Sequence, residues 1–461
     1  MNQREDRTRL HINFELSNNL NSVQHKLTEK YGHRELATCR NQILSLIGYK
    51  YLSQNAETNN GDIGYELNDK YYYKNLLLNK GNVKEILKKG VEEITQENDN
   101  VQAADVFYDL FDLMDFETFP SNEDWLFFID LLELLGRETT ATLGQTFNFI
   151  VQYPQRTKNN IYQLKPNEIL ATVITANQKD VENLYDPNAD CGSLMVEISN
   201  KINVKNYYGQ HVMFDKCVLA KLNLLVNDVN YKNIFIKHND IVNPNKWDEQ
   251  KFDLCASIPL FGRRDANVLA NDERFKPFSP KHASELAYIL DMLYNLEDKG
   301  SIGVIVPQGL LFRGGIENKI IKHLVDNQFI STIIGLPGGL FDETQIPTTL
   351  IVLDKKAKEE IFYLNIMDSI EGQDINKLTL LKLNEYLPIL AEHKEVKSLS
   401  KIATIDEIKK NDYNLSINRY IELETLIKID INKTIENIDL IKKELEKVDE
   451  ELNTKIESLF K

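Results

Sequence analysis

The residues that could bind a ligand lie at the ends of short apolar runs, between about residues 183 and 356. Runs such as NLYDP, NIFIKHNDI and FDLCASIP have the composition of buried strands that end in a turn. In a mostly parallel sheet, ligands bind at the carboxyl ends of the strands. Asp186 ends the first of these runs and Asp240 the second, and the third leads into a turn with Ile258 immediately before Pro259 and with Phe261 at its end.

The cysteines and histidines do not indicate a metal site. Cys39, Cys191, Cys217 and Cys255 are widely separated, with no CxxC pair and no histidines paired at metal-ligand spacing. We therefore expect no metal, and thiols that stay reduced in the cytoplasm.

The candidate residues must be positioned by alternating strands and helices. Between residues 183 and 356 the apolar runs alternate with amphipathic stretches such as VMFDKCVLAKLNLLVN and GIENKIIKHLVDNQ. This alternation predicts an α/β fold in which helices cover both faces of a mostly parallel sheet.

The two flanking regions have helical spacing instead. Segments such as DWLFFIDLLELLG predict a helical N-terminal domain at 1–150, before an α/β domain at 151–400. Residues 401–461 are predicted to form a linker and a long amphipathic helix, because 421–461 contains no Gly or Pro. The helix could fold back on its own domain or pack against another chain. Its apolar positions are Ile438, Ile441, Leu445, Val448, Leu452, Ile456 and Leu459.

Charge and hydropathy limit the classes of function. The chain has 461 residues, with 54 Lys and Arg against 70 Asp and Glu, which gives a net charge of -16. Such a charge opposes unassisted binding to a polyanion, so any DNA contact should be local or supplied by a partner. The charged N-terminus lacks the apolar core of a signal peptide, and no apolar run reaches bilayer length. We expect a cytoplasmic protein with no membrane segment.

The strand ends and their order resemble one known family. Residues 285–355, with VPQGLLFRGG and IGLPGGLF followed by IPTTLIVL, resemble the modification (M) subunits of type I restriction-modification systems. Those subunits are S-adenosylmethionine-dependent N6-adenine DNA methyltransferases. The resemblance covers about residues 135–461 and includes NDYNLSINRYIE at 411–422. It implies a Rossmann-like methyltransferase sheet with an N-terminal helical domain and a long C-terminal helix.

The resemblance assigns the first turn to the methionine part of the cofactor. Asp186 matches the acid that ends the first strand, and Gly192 and Ser193 match the end of the turn. The family's first glycine position holds Asp190, which brings a side chain and a second negative charge to this place. We expect this change to weaken cofactor binding.

At the other cofactor positions, some residues depart from the family and others match it. His211 stands at the acid that grips both ribose hydroxyls, where a neutral imidazole offers only one acceptor. Asp240 matches the acid near the adenine amine, although an aspartate at a strand end is also an ordinary N-cap. Pro166 matches a proline beside the methionine end, but Leu164 and Lys165 replace the tyrosine and threonine before it.

The segment that matches the family's catalytic segment has no side-chain amide. The family uses an Asn-Pro-Pro-Phe-like segment to accept hydrogen bonds from the target adenine amine and to stack on the flipped base. Here it reads Ile258, Pro259, Leu260, Phe261, and isoleucine has no side-chain acceptor. The alternation of side chains along a strand should point the neighbouring Ser257 to the other face.

The resemblance with degenerate motifs implies a noncatalytic M-like subunit that binds no cofactor. Its expected partners are an intact M-like subunit and a specificity subunit, with DNA contacted mainly through the complex. The alternatives are an active S-adenosylmethionine-dependent N6-adenine DNA methyltransferase with diverged motifs, or a binder of another nucleotide or small ligand.

Overall fold

The N-terminal part of the chain is helical, as the sequence predicts. The structure, a computed structural model, describes residues 3–58, 62–96, 99–152, 164–176, 178, 180–247, 250–263, 271–278, 285–341, 344–356, 358–367, 380–422 and 442. The first helices are α1 (Gln3–Tyr31), α2 (Leu36–Thr58), α3 (Tyr73–Leu78), α4 (Val83–Ile94), α5 (Val101–Phe107), α6 (Asn122–Leu135) and α7 (Leu143–Gln152). Side-chain caps set some of their starts: the Ser121 hydroxyl accepts the Asp124 backbone N–H at the start of α6, at 3.1 Å.

In the described part of the chain, nine strands form one sheet. They are β1 (Asp180–Asp186), β2 (Asn203–His211), β3 (Ile234–His238), β4 (Phe252–Ser257), β5 (Leu296–Pro307), β6 (Ile330–Leu336), β7 (Thr348–Asp354), β8 (Glu360–Asn365) and β9 (Ser400–Thr404). Their order is β3-β2-β1-β4-β5-β7-β6-β8-β9. Strands β3, β2, β1, β4 and β5 run parallel, and β7 runs antiparallel between β5 and β6. The α/β prediction is confirmed, and the order of the strands reverses between β1 and β4, where such sheets form a ligand crevice.

The remaining helices lie between and beyond the strands. They are α8 (Pro166–Ile174), α9 (Ser193–Ser199), α10 (Phe214–Val226), α11 (Glu285–Asn295), α12 (Ile316–Asp326), α13 (Leu380–Glu392) and α14 (Ile405–Lys410).

The N-terminal helices share a hydrophobic core with the sheet. A Cβ atom on Gly48 of α2 would lie 2.4 Å from a Leu222 methyl of α10, so glycine permits this close approach. Residues 1–421 form one compact unit and 422–461 a second. The finer division at residues 150 and 400 stays a prediction, and the predicted C-terminal helix falls outside the described residues apart from Ile421, Glu422 and Lys442.

In the described residues, every helix is too short or too polar to span a bilayer, and no three His, Cys, Asp or Glu side chains cluster so that they could hold a metal ion. The four cysteines are buried free thiols.

Candidate functional site

The carboxyl end of β1 holds a buried acid. Asp186 is 2% exposed, and its Oδ1 accepts the Asn188 backbone N–H at 2.9 Å and the Ser257 hydroxyl at 2.7 Å. Burial raises the pKa of Asp186 to about 7, although these two hydrogen bonds oppose the rise. Near neutral pH this carboxyl group therefore holds a proton for a substantial fraction of the time.

The turn after β1 keeps the backbone of a glycine-rich turn. Asp190 has φ 44 and Gly192 has φ 75, both in the left-handed region that favours glycine. A Cβ on Gly192 would lie 3.2 Å from the Ala220 backbone of α10, so this turn packs tightly against the helix. Ser193 begins α9 and is buried.

The side chain of Asp190 is paired, which the sequence did not indicate. Lys216 in the first turn of α10 places Nζ 2.8 Å from Asp190 Oδ1 and also donates to the Cys191 sulfur at 3.5 Å. Burial tends to raise the pKa of Asp190, but the charge of Lys216 and its hydrogen bond lower it. The expected second negative charge is thus present with its counter-charge beside it.

The carboxyl end of β2 offers a donor and no acceptor. His211 is 3% exposed, and its Nδ1 accepts the Met213 backbone N–H at 3.0 Å. Burial lowers the pKa of His211, which favours the neutral ring. Because Nδ1 accepts, the proton of the neutral ring is on Nε2. The single acceptor predicted from the sequence is therefore already used.

The acid after β3 is bound by an arginine from the loop after β4. Arg263 donates to Asp240 Oδ1 at 2.7 Å and to Oδ2 at 2.5 Å, in a bidentate pair. Sequence reasoning identified Asp240 but missed Arg263, and likewise missed Lys216. Their only signal was a positive charge close to a candidate segment.

The segment after β4 presents apolar and aromatic side chains. Ile258 is half-buried against the main hydrophobic core, and its carbonyl oxygen accepts from Asn188 Nδ2 at 2.7 Å. Pro259 is buried and Leu260 half-buried. Phe261 meets Phe341 edge to face, with ring centroids 5.1 Å apart. This arrangement can contact a planar group, but Ile258 supplies no side-chain acceptor for an amine.

The predicted third segment serves as the start of a helix. Pro166 is the first residue of α8, a position at which proline's missing N–H costs nothing. The Lys165 backbone N–H donates to the Glu168 carboxylate at 2.8 Å, and Leu164 is 2% exposed in the core. Helix capping and burial explain all three residues.

Three positions of the expected S-adenosylmethionine site are engaged by other groups of the chain. Asp190, which stands at the family's glycine position, is paired with Lys216, and Asp240, the matching acid, is paired with Arg263. His211, which stands at the position of the ribose-binding acid, has its one acceptor bonded to a backbone amide. Asp186, Asp240 and a tight turn remain at the carboxyl edge of the sheet, and both acids accept hydrogen bonds from groups of the chain.

Comparisons with known proteins identify the chain's relatives. The family model described as N-6 DNA Methylase matches residues 139–428. The chain is 26% identical to the type I restriction enzyme MpnII methylase subunit of Mycoplasma pneumoniae, over 72% of this chain and 66% of that protein. It is also 26% identical to the MjaVII methylase subunit of Methanocaldococcus jannaschii, over 79% and 68%. The chain thus spans about two thirds of the length of these relatives.

Solved structures support the fold. The type I restriction-modification methyltransferase subunit of Streptococcus thermophilus aligns with a TM-score of 0.76 at 21% identity, over 89% of this chain and all of that one. A modification subunit of a putative type I restriction enzyme from Vibrio vulnificus gives 0.63 at 15% identity, over 86% and 93%.

Proposed function

The chain belongs to the N-6 DNA Methylase family, and we propose that within it the protein is a noncatalytic M-like subunit of a type I-like DNA N6-adenine methyltransferase or restriction-modification complex. It pairs with a catalytically complete M-like subunit and with a specificity subunit. It acts in the cytoplasm, contacts DNA mainly through that complex, and uses no cofactor.

The observation that carries the proposal is Ile258. Methylation of an adenine amine needs acceptors that hold the nitrogen with its lone pair toward the methyl donor. Ile258 has none in its side chain, and its carbonyl oxygen already accepts from Asn188. The hydroxyl of Ser257 is not placed to substitute, because the residue is fully buried and its hydroxyl is directed at Asp186, at the end of the neighbouring strand.

The cofactor crevice supports the same conclusion independently. Catalysis needs both reactants aligned together. Asp190 and His211 stand where the family has a glycine and a ribose-binding acid, and Asp240, the matching acid, is engaged by Arg263. The packing of the fold needs only apolar pattern and volume, so it persists where such contacts have changed.

The proposed partners follow from charge and sequence pattern. A net charge of -16 disfavours direct binding to a polyanion and favours DNA contact through basic surfaces of other subunits. The apolar spacing in 421–461 is suited to packing against another chain. The relatives are themselves named as subunits.

A second candidate is an active methyltransferase with diverged motifs. The retained Pro259 and Phe261 favour it, since Phe261 lies half-buried beside Phe341 where an aromatic ring could stack on a base.

Transfer of labelled methyl groups to duplex DNA by the reconstituted complex separates the two candidates. We expect Ile258→Ala in this chain to leave transfer nearly unchanged, while replacing the catalytic asparagine of the intact partner abolishes it. Ile258→Asn in the complex with the disabled partner should restore nothing, because cofactor and base remain poorly held. Transfer that persists with the disabled partner, and is lost when Pro259 and Phe261 are replaced here, would establish the active enzyme instead.

A further inference from the structure

An ion pair crosses the crevice at the carboxyl edge of the sheet. Asp240 follows β3 and Arg263 follows β4, and in the sheet β2 and β1 lie between these two strands. The pair therefore links the loops on either side of the point where the strand order reverses, which is where ligands bind in sheets of this kind.

The pair is ordered and well shielded from water. The side chains of Arg263 and Asp240 are 8% and 15% exposed. Asp240 Oδ1 also accepts the Val242 backbone N–H at 3.2 Å, so both carboxylate oxygens are engaged. The start of the arginine's loop is fixed as well, because Gly262 has φ 66 and donates its N–H to the buried Glu285 carboxylate at 2.9 Å.

A guanidinium in this position competes directly with an aromatic amine. An exocyclic amine would give Asp240 one hydrogen bond from a neutral donor, whereas Arg263 gives two parallel bonds from a cationic donor, and such a bidentate pair adds both energy and geometric specificity. Arginine has no hydrogen-bond acceptor, so its N–H groups would also face the N–H groups of the amine. Binding of an adenine amine at Asp240 is therefore disfavoured while the arginine stays in place.

We propose that Arg263 is a built-in latch that closes the adenine end of the crevice and excludes adenosyl ligands from it. The latch deepens the proposed noncatalytic function, and rests on it only for the assignment of Asp240 to the adenine end. Asp190 and His211 match the positions beside the methionine and ribose parts of the cofactor in the family. Removing the Arg263 side chain should therefore be enough to free Asp240 at the adenine end.

Adenosine is the probe, because it lacks the methionine part and reports on this end of the crevice alone. Isothermal titration of the full chain should show that Arg263→Ala binds adenosine at least about tenfold more tightly than the unchanged chain. The variant should also prefer adenosine to inosine, which lacks the amine. Adding Asp240→Ala should remove that preference.

Two further variants keep the test decisive. Lys216→Ala removes the cation paired with Asp190 and should give no gain in adenosine binding. Arg263→Gln keeps a polar side chain that is shorter and uncharged, and should give a smaller gain even if the alanine variant folds poorly. The latch is wrong if neither Arg263 variant binds adenosine more tightly, including the case in which no variant binds it.

The latch and the proposed function can fail separately. Unchanged adenosine binding in the variants, with no S-adenosylmethionine binding by the original chain, would remove the latch and leave the noncatalytic function standing. Micromolar or tighter binding of S-adenosylmethionine by the original chain would contradict both.

Discussion

The buried carboxyl group of Asp186 should make the stability of the fold fall as pH rises, and Asp186→Asn tests this. Burial raises its pKa from 3.8 to about 7. The unfolded chain loses this proton near pH 3.8, whereas the folded chain retains it to about pH 7. Between these values the unfolded state binds fewer protons, so the free energy of unfolding decreases with pH.

The size of the effect follows from the two pKa values. The interval between 3.8 and about 7 corresponds to about 4 kcal/mol of unfolding free energy, fully present below the lower value and lost above the upper one. An asparagine at this position cannot ionise, and its amide oxygen can still accept from Ser257 and from the Asn188 backbone. The unfolding free energy of the variant, relative to that of the original chain, should therefore rise by about 1.4 kcal/mol per pH unit across that interval.

The assay is urea denaturation followed by circular dichroism, at several values between about pH 4 and about pH 8. The difference in unfolding free energy between Asp186→Asn and the original chain is plotted against pH, which cancels the titration of all other groups. Asp180→Asn is the matched control, since Asp180 is the exposed first residue of the same strand. A difference that stays constant with pH, or increases toward acid, would refute the burial argument.

Three further predictions concern assembly, a buried ion network and the turn after β1. Leu445→Glu with Leu452→Glu should abolish association with partner subunits in size-exclusion chromatography while the body stays folded, because a charged residue breaks an apolar helix seam. Arg274→Ala should lower the unfolding free energy by about 3–5 kcal/mol in urea, since it leaves buried aspartates without their counter-charge. Lys276→Ala, which removes a surface ion pair nearby, should cost about 0–1 kcal/mol. Gly192→Ala should cost about 1–2 kcal/mol in thermal melting, because its φ of 75 disfavours any side chain.

Each of these predictions has an outcome that contradicts it. Loss of the folded body in the leucine variants would mean that the C-terminal helix packs internally. Equal costs for the Arg274 and Lys276 variants would mean that the buried ion network contributes no more than a surface pair. An unchanged melting temperature for Gly192→Ala would mean that the turn relaxes to accept a side chain.

The sequence predicted the α/β fold because burial patterns are local. An apolar run such as ISTIIGL in β6 is buried throughout, and its composition alone predicts a strand covered on both faces. The order of the sheet is different: β7 is inserted antiparallel between β5 and β6, and no local pattern specifies which strands become neighbours.

The features of the candidate site likewise divide into those set by residue type and those set by the fold. That Ile258 cannot accept a hydrogen bond through its side chain follows from the residue type in any fold. That its carbonyl is bonded to Asn188, that Ser257 is bonded to Asp186, and that Arg263 is paired with Asp240 required the tertiary structure.

The physical reason is the separation of the partners along the chain. Asn188 and Ile258 are 70 residues apart, and Asp240 and Arg263 are 23 apart. The chemistry a side chain can perform is fixed by its own atoms, so the sequence determined which groups this crevice lacks. Which donors reach the acids that remain is fixed by how the strands bring distant loops to one edge of the sheet, and only the fold decided that.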